Sequence, residues 1–349
     1  MPSIRTRPAA RFFATIVAGA LLAAGLPARA ADQALIDAAK KEGEVVWYTT
    51  VIINQLVRPL ADNFEKKYGV KVRYVRANAS DTALKIINEA RAGKVQADLF
   101  DGTSATPPLK EAGLVAKYVP DSAKALAPRY IDPEGQWVAT HAYYMAPGFN
   151  TDLVPVKDAP KTFEDLLDPK WRGKIAWNSS TSSSGGPGFV GNVLITMGDE
   201  KGMDYLKKLA GQKIINMDVS ARQLLDQAIA GEFPIALQIF NHHAVISAKK
   251  GAPVSWVAME PVTSTLSVVS LTKDAQHPNA GKLLIDYMVS EEGQKLFEAA
   301  DYLPVHPNVK PREPELTPDG GHFKVNVITP ETLGEKLPEW KKISDRLFR

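Results

Sequence analysis

Between Glu44 and Phe100, three strand-like segments alternate with two amphipathic helical ones, and this alternation constrains the chain more than any other feature. Glu44-Val-Val-Trp-Tyr-Thr-Thr50 has the length of a buried strand, and residues 70–75 alternate as a second one. Between them, Leu60, Phe64 and Tyr68 recur at helical spacing before Gly69. The run 82–92 predicts a helix, with Ser80-Asp81 as its cap region and Gly93 as its stop, and 97–100 predicts a third strand. Strands bridged by helices form a parallel sheet with helices on its faces, so the expected fold class is α/β. Ligands of such sheets bind beyond the carboxyl ends of the strands. That rule makes Thr49 and Thr50, after the first strand, and Thr103 and Ser104, after the third, candidate ligand contacts on one edge.

The same rule applies downstream. Ile235 to Phe240 is an apolar run of strand length, with Pro234 at its start where a missing N–H is tolerated. It runs directly into Asn241, His242 and His243, which stand where a ligand is expected. Ile175-Ala-Trp177 opens into the hydroxyl- and glycine-rich loop 178–188, followed by helical spacing through Phe189, Val193, Leu194 and Met197. A loop entering a helix start presents free N–H groups and a positive dipole end, so Ser180, Ser182, Ser183, Ser184 and Gly185 form a candidate anion site. Neither G-x-x-x-x-G-K-[ST] nor G-x-G-x-x-G is present there, which excludes a nucleotide fingerprint. Arg222 falls in the first turn of a helix that Ser220 caps, where a cation opposes the dipole, and an anionic ligand would account for it. The extended, aromatic segment 136–150 predicts a strand crossing from one lobe to another. Tyr143 and Tyr144 then point to opposite faces, and Tyr144 is taken as the ligand-facing one.

Residues 1–30 are set apart. Arg5, Arg7 and Arg11 precede an apolar stretch of about fifteen residues, and Ala28-Arg29-Ala30 offers a small-x-small cleavage site, the pattern of a secretory signal peptide. The stretch is shorter than the roughly twenty residues a membrane span needs. Removing its four arginines from the 42 basic residues leaves 38 against 39 acidic, a formal charge of −1. That balance gives no basic stripe for nucleic acid. The chain has no cysteine, which excludes disulfides, thiolate metal sites and cysteine nucleophiles. An exported chain without cysteine fits a bacterial periplasm.

Several segments carry a family resemblance: Val45-Val-Trp-Tyr-Thr49, Ala97-Asp-Leu-Phe100, Glu111-Ala-Gly-Leu-Val115, Pro169-Lys-Trp-Arg-Gly-Lys-Ile175, Ala230-Gly-Glu-Phe-Pro-Ile-Ala-Leu237, His277-Pro-Asn-Ala280 and Ser290-Glu-Glu-Gly-Gln294. In this order and spacing the chain resembles the extracellular solute-binding proteins of ABC importers, in the group of the bacterial ferric-ion-binding proteins. The resemblance implies a two-lobed periplasmic binding protein fold, type II-like. Two parallel-rich α/β lobes would be joined by a two-strand hinge and close on a ligand in the cleft. The expected division is 31–140 plus 260–302 for lobe 1 and 141–259 plus 303–349 for lobe 2. It also implies a membrane permease as partner, a small molecule or ion as ligand, and a monomer. Iron-binding members carry an adjacent tyrosine pair where this chain has His242 and His243. Those members often have a histidine after the first strand and an acid after the third, where this chain has Thr50-Val-Ile52 and Gly102-Thr-Ser104.

The expected function is therefore a periplasmic receptor, not an enzyme, with no required cofactor. Its ligand is an organic or phosphorylated anion, or a metal together with an anion; the alternative is a protein binding iron(III) or another metal ion through His242 and His243, although imidazoles suit Zn, Cu, Ni or Fe(II) better than Fe(III). A secreted serine hydrolase using Ser182 to Ser184 is a distant alternative, because no G-x-S-x-G elbow is present. A structural or adhesive protein would not need polar clusters at so many strand ends.

Overall fold

A computed structural model of the chain describes residues 33–179 and 185–348. Helix α1 (Gln33–Glu42) leads into β1 (Glu44–Thr49), followed by α2 (Arg58–Tyr68), β2 (Lys71–Arg76), α3 (Ala79–Arg91), β3 (Leu99–Asp101) and α4 (Thr106–Glu111). β1 lies between β2 and β3 and is parallel to both, with Val45 opposite Val72 and Trp47 opposite Leu99. The expected alternation is present because each helix has one apolar face to bury. α2 buries Leu60, Ala61, Phe64 and Tyr68 and stops at Gly69, whose φ of +70° a glycine adopts without strain. The cap of α3 lies earlier than Ser80-Asp81: the Asn78 side chain accepts the Asp81 N–H, so the helix begins at Ala79.

The long strand β4 (Val138–Asn150) crosses out of this unit. Beyond it come β5 (Ile175–Asn178), α5 (Gly186–Met197), α6 (Asp199–Ala210), β6 (Ile215–Met217), α7 (Ala221–Ile229), β7 (Ile235–Phe240), α8 (Asn241–Lys249) and β8 (Val254–Trp256). β9 (Val262–Leu271) returns antiparallel to β4, from Met145 opposite Thr263 to Val138 opposite Val269, and pairs its far end with β3 at Leu99 opposite Leu271. The chain finishes with α9 (Pro278–Val289), α10 (Glu291–Ala299), β10 (Leu303–Pro304), β11 (Val325–Ile328) and α11 (Pro330–Phe348). The strands form one curled sheet in the order β2-β1-β3-β9-β4-β7-β5-β6. Hence β4 and β9 are the two strands by which the halves of the sheet are continuous.

Each half has helices on both faces, as a sheet buried on both sides requires. In the first, Trp47, Phe64, Leu283 and Phe297 fill one face, and Tyr48, Ile86, Phe100 and Leu109 the other. In the second, Trp177, Phe189, Leu206 and Trp340 fill one face, and Leu224, Leu225 and Ile239 the other. The segment after Tyr302 divides between the two. Leu303, Val305, Leu316 and Phe323, expected in lobe 2, pack in the first core, and β10 pairs with β4 at His141 and Ala142. Only from Ile328 do the side chains join the second core, where Leu333, Trp340, Ile343 and Phe348 of α11 are buried. α11 packs so closely on α5 that a Cβ on Gly191 would lie 2.4 Å from Cε3 of Trp340.

Candidate functional site

The carboxyl ends of β1, β2, β3 and β7 converge on the hinge strands, and two adjoining cavities open there. The first, about 490 Å³, is bordered by Thr50, Arg76, Asn78, Thr103 and Ser104 together with Thr265 and Ser267 of β9. The second, about 350 Å³, is bordered by Thr50, Gln55, His242, His243, Asp301 and Tyr302. Thr50, Tyr143 and Phe240 line both.

Asp101 anchors the floor. It is almost fully buried, with Oδ2 accepting the Trp47 indole N–H at 2.8 Å and Oδ1 accepting the Thr50 N–H at 2.8 Å and the Thr50 hydroxyl at 2.5 Å. Burial pushes the Asp101 carboxyl upward, against the pull of the hydrogen bonds from Thr49, Thr50 and Trp47. The two threonines differ in role. Thr50 borders both cavities, whereas Thr49 is fully buried and its hydroxyl accepts the Val51 N–H at 3.0 Å, a turn contact and not a cleft contact. Gly102 lets β3 end close beneath Thr50: its φ is +117°, and an added Cβ would stand 2.9 Å from Thr50 Cγ2 and 3.2 Å from Ala79 Cβ. Thr103 and Ser104 border the first cavity, and the Thr103 hydroxyl donates to the Leu266 carbonyl.

Of the tyrosine pair, Tyr143 faces the cavities. Tyr144, expected at the ligand, turns the other way into the first core against Phe323, with ring centroids 5.5 Å apart. The strand's alternation separates the two rings as expected, but their phase is set by the packing of β4 against β10 and the 303–323 segment. The Tyr143 hydroxyl lies 2.8 Å from Nε2 of the buried His141, whose Nδ1 lies 3.0 Å from the Thr140 hydroxyl. Burial lowers the His141 pKa to about 3 and raises that of Tyr143 well above its ordinary value.

His242 and His243 occupy the first turn of α8, their ring centroids 4.3 Å apart. The helix begins directly at the end of β7, and so brings two successive residues to one side of the cleft. Burial, with each ring's cationic neighbours, lowers the His242 pKa to about 3 and that of His243 to about 4. Both rings are neutral at pH 7. Nδ1 of each is buried without a hydrogen-bond partner. No group of three or more histidine, aspartate or glutamate side chains able to hold a metal occurs among the described residues.

Two sequence candidates stand elsewhere. Arg222 is already engaged: Nε and Nη2 donate to the Asp226 carboxylate at 3.2 and 2.5 Å and Nη1 to the Ser247 hydroxyl at 3.0 Å, tying α7 to α8. Its ion pair with Asp226 one turn on offsets its place near the helix start, so no anion is needed to explain it. Gly185 is the buried residue before α5 and borders neither cavity. Ser180, Ser182, Ser183 and Ser184 lie outside the described residues.

Arg76 was missed. It ends β2, its Nε donates to the Val51 carbonyl at 3.1 Å, and among the described residues it forms no ion pair, so its Nη groups are uncommitted beside the start of α3. The strand-end rule that selected Thr50 and Thr103 also selects Arg76, because β2 is parallel to β1 and ends at the same edge.

Residues 95–319 match the model of the bacterial extracellular solute-binding protein family. A Salmonella typhimurium protein provisionally named 2-aminoethylphosphonate-binding periplasmic protein is 25% identical over 315 residues, 87% of this chain and 85% of the relative. Among solved structures, iron-bound HitA of Pseudomonas aeruginosa superposes with a TM-score of 0.72 at 23% identity, over 87% of this chain and 99% of HitA. AfuA of Actinobacillus pleuropneumoniae, with fructose-6-phosphate bound, superposes with a TM-score of 0.70 at 24% identity, over 88% of this chain and 98% of AfuA. The match covers well over half of the chain and includes most of the cleft-forming elements, and the chain belongs to the bacterial extracellular solute-binding proteins.

Proposed function

We propose that the protein is the periplasmic receptor of an ABC importer, exported by its N-terminal segment, and that its ligand is a small organic anion carrying a phosphonate or phosphate group. The observation that carries this is Arg76: a guanidinium without an ion pair among the described residues, next to the start of a thirteen-residue helix, at the edge of a cavity large enough for a small solute. The Asn78 side chain caps the Asp81 N–H, and Ala79, the first residue of the helix, borders the cavity, where a helix start favours an anion. His242 and His243 are neutral at working pH, so the positive charge on offer is that of Arg76. The names of the similar proteins span phosphonate, sugar phosphate and ferric iron, so the ligand has to be argued from these residues. The receptor delivers its ligand to a permease and carries out no turnover.

A second ligand class is favoured by one observation, the two unpaired buried Nδ1 atoms of adjacent neutral imidazoles, which suit a borderline transition metal. Calorimetry decides between the two. Ethylphosphonate or inorganic phosphate should bind the metal-free protein, and Arg76→Met should weaken that binding about 10- to 100-fold, the loss of one charged hydrogen-bonding group. Unchanged affinity in Arg76→Met would sink the anion assignment. A melting midpoint raised by Zn²⁺ or Cu²⁺ alone, and lost in His242→Ala with His243→Ala, would establish the metal instead.

A further inference from the structure

After β4 and β9, the chain passes between the lobes a third time. Phe323 packs in the first core and Ile328 in the second, while β11 runs alongside β9 from Val325 opposite Val262 to Ile328 opposite Thr265. Directly beyond this crossing, the first turn of α11 is gripped by both lobes. Oε1 of Glu331 accepts the indole N–H of the buried Trp137 and a proton of the Lys110 ammonium, each at 2.8 Å, and Lys110 also donates to the buried Asp132 at 3.2 Å. Two residues on, Leu333 is buried in the second core. Gly334 meets α4 so closely that an added Cβ would stand 3.1 Å from Pro107 Cβ.

Beyond that turn α4 and α11 diverge around a gap of about 430 Å³, bordered by Pro107, Pro108 and Glu111 on one side and by Leu337, Pro338 and Lys341 on the other. Ser104 borders both this gap and the larger cleft cavity, so the two adjoin. Pro338 has no N–H to offer the Gly334 carbonyl one turn back, and α11 bends most readily between these residues. Glu111 and Lys341 border the gap from its two sides, and among the described residues neither forms an ion pair. Their attraction is weak across water and grows as the gap narrows and water leaves. We infer that α11 from Glu331 to Pro338 is a third joint between the lobes, with Glu331 as its fulcrum, and that the gap beside it closes to pair Glu111 with Lys341. The separated charges belong to the arrangement described here, and the paired ones hold a second, more closed arrangement. The inference is independent of what the cleft binds.

The absence of cysteine makes the test direct, since introduced thiols are the only ones present. In the ligand-free mature protein, Glu111→Cys with Lys341→Cys should oxidise to an intramolecular disulfide, which needs the two Cα atoms within about 7 Å and accumulates even from a minor population. No cross-link would overturn the closure. Spin labels at the exposed neighbours, Ala112→Cys and Lys342→Cys, then read the width of the gap with both charges in place. Two distances are expected. Lys341→Glu should remove the shorter one, and Glu111→Lys with Lys341→Glu should restore it; both side chains are exposed, so the exchange leaves the cores untouched. A single distance that no charge variant moves, or a loss that the exchange does not restore, would overturn the pair. Glu331→Ala should broaden both distances, whereas Glu331→Gln, which keeps an acceptor for Trp137, should broaden them less. Distances as sharp in Glu331→Ala as in the parent would overturn the fulcrum.

Discussion

Three imidazoles, His141, His242 and His243, stand neutral around one cleft because burial denies them a charge, with folded pKa values of about 3, 3 and 4 against an ordinary 6.5. The unfolded chain takes up these protons as pH falls below about 6.5, whereas the folded chain does so only near pH 3 to 4. Stability is therefore unaffected by these groups above pH 6.5 and falls as pH drops toward 4, by up to about 1.4 kcal/mol per pH unit for each ring. Urea midpoints of wild type and His242→Gln between pH 6.5 and 5 check this. The variant should show the shallower slope, and parallel slopes would refute it. At this scale the sequence was partly legible. Adjacency to an apolar strand put His242 and His243, and the strand-end rule put Thr50, Thr103 and Ser104, at one edge, and all five border the two cavities. Tyr144 was chosen wrongly because alternation separates two neighbours without saying which faces inward; that depends on the 303–323 segment, far away in sequence. Arg222 misled because its partner Asp226, four residues on, was not weighed against a ligand.

Among the elements, the helices were the most legible, since each declares its buried face through its own spacing. The capping box at Ser220 and Gln223 is formed by both side chains, as the sequence suggested for Ser220. Less visible was how helices meet one another. α5 is apolar on nearly every side because it is enclosed by the sheet, α6 and α11 together, and its Gly191 is the point of closest approach to α11. A methyl group there has no room beside the Trp340 ring, and neither helix can yield alone. Gly191→Ala is accordingly expected to destabilise the protein by about 1–3 kcal/mol, read as a lower denaturant midpoint. An unchanged midpoint would show that α11 is more loosely seated than its buried Trp340 indicates.

For the molecule as a whole, the alternation of the first hundred residues predicted parallel pairing, and the parallel sheet is present. The stretch 260–302 was expected to return to the first lobe; what no local pattern shows is that its strand pairs directly with β3 and completes this sheet. β3 takes its other neighbour from β9, pairing Leu99 with Leu271, and the first core draws Leu283, Leu284 and Phe297 from the same late segment. A chain ending at Glu260 retains every strand of the expected βαβαβ unit but leaves β3 as an open edge over an unfinished core. It should show neither a cooperative melt nor the near-ultraviolet dichroism of a packed Trp47. A cooperative transition in that fragment would show the unit to be self-sufficient.

The pairing of β3 with β9 also sets an order of events in time. A chain delivered from its amino end holds the first lobe incomplete until most of its length has emerged, because a loop of about 170 residues must close before the pairing can form. Most of the second lobe lies within that loop, but its core waits in turn for Ile328 and for Leu333, Trp340, Ile343 and Phe348 of α11 at the far end of the chain. Neither lobe is therefore a finished body until nearly the whole chain is present, although the first begins the sequence.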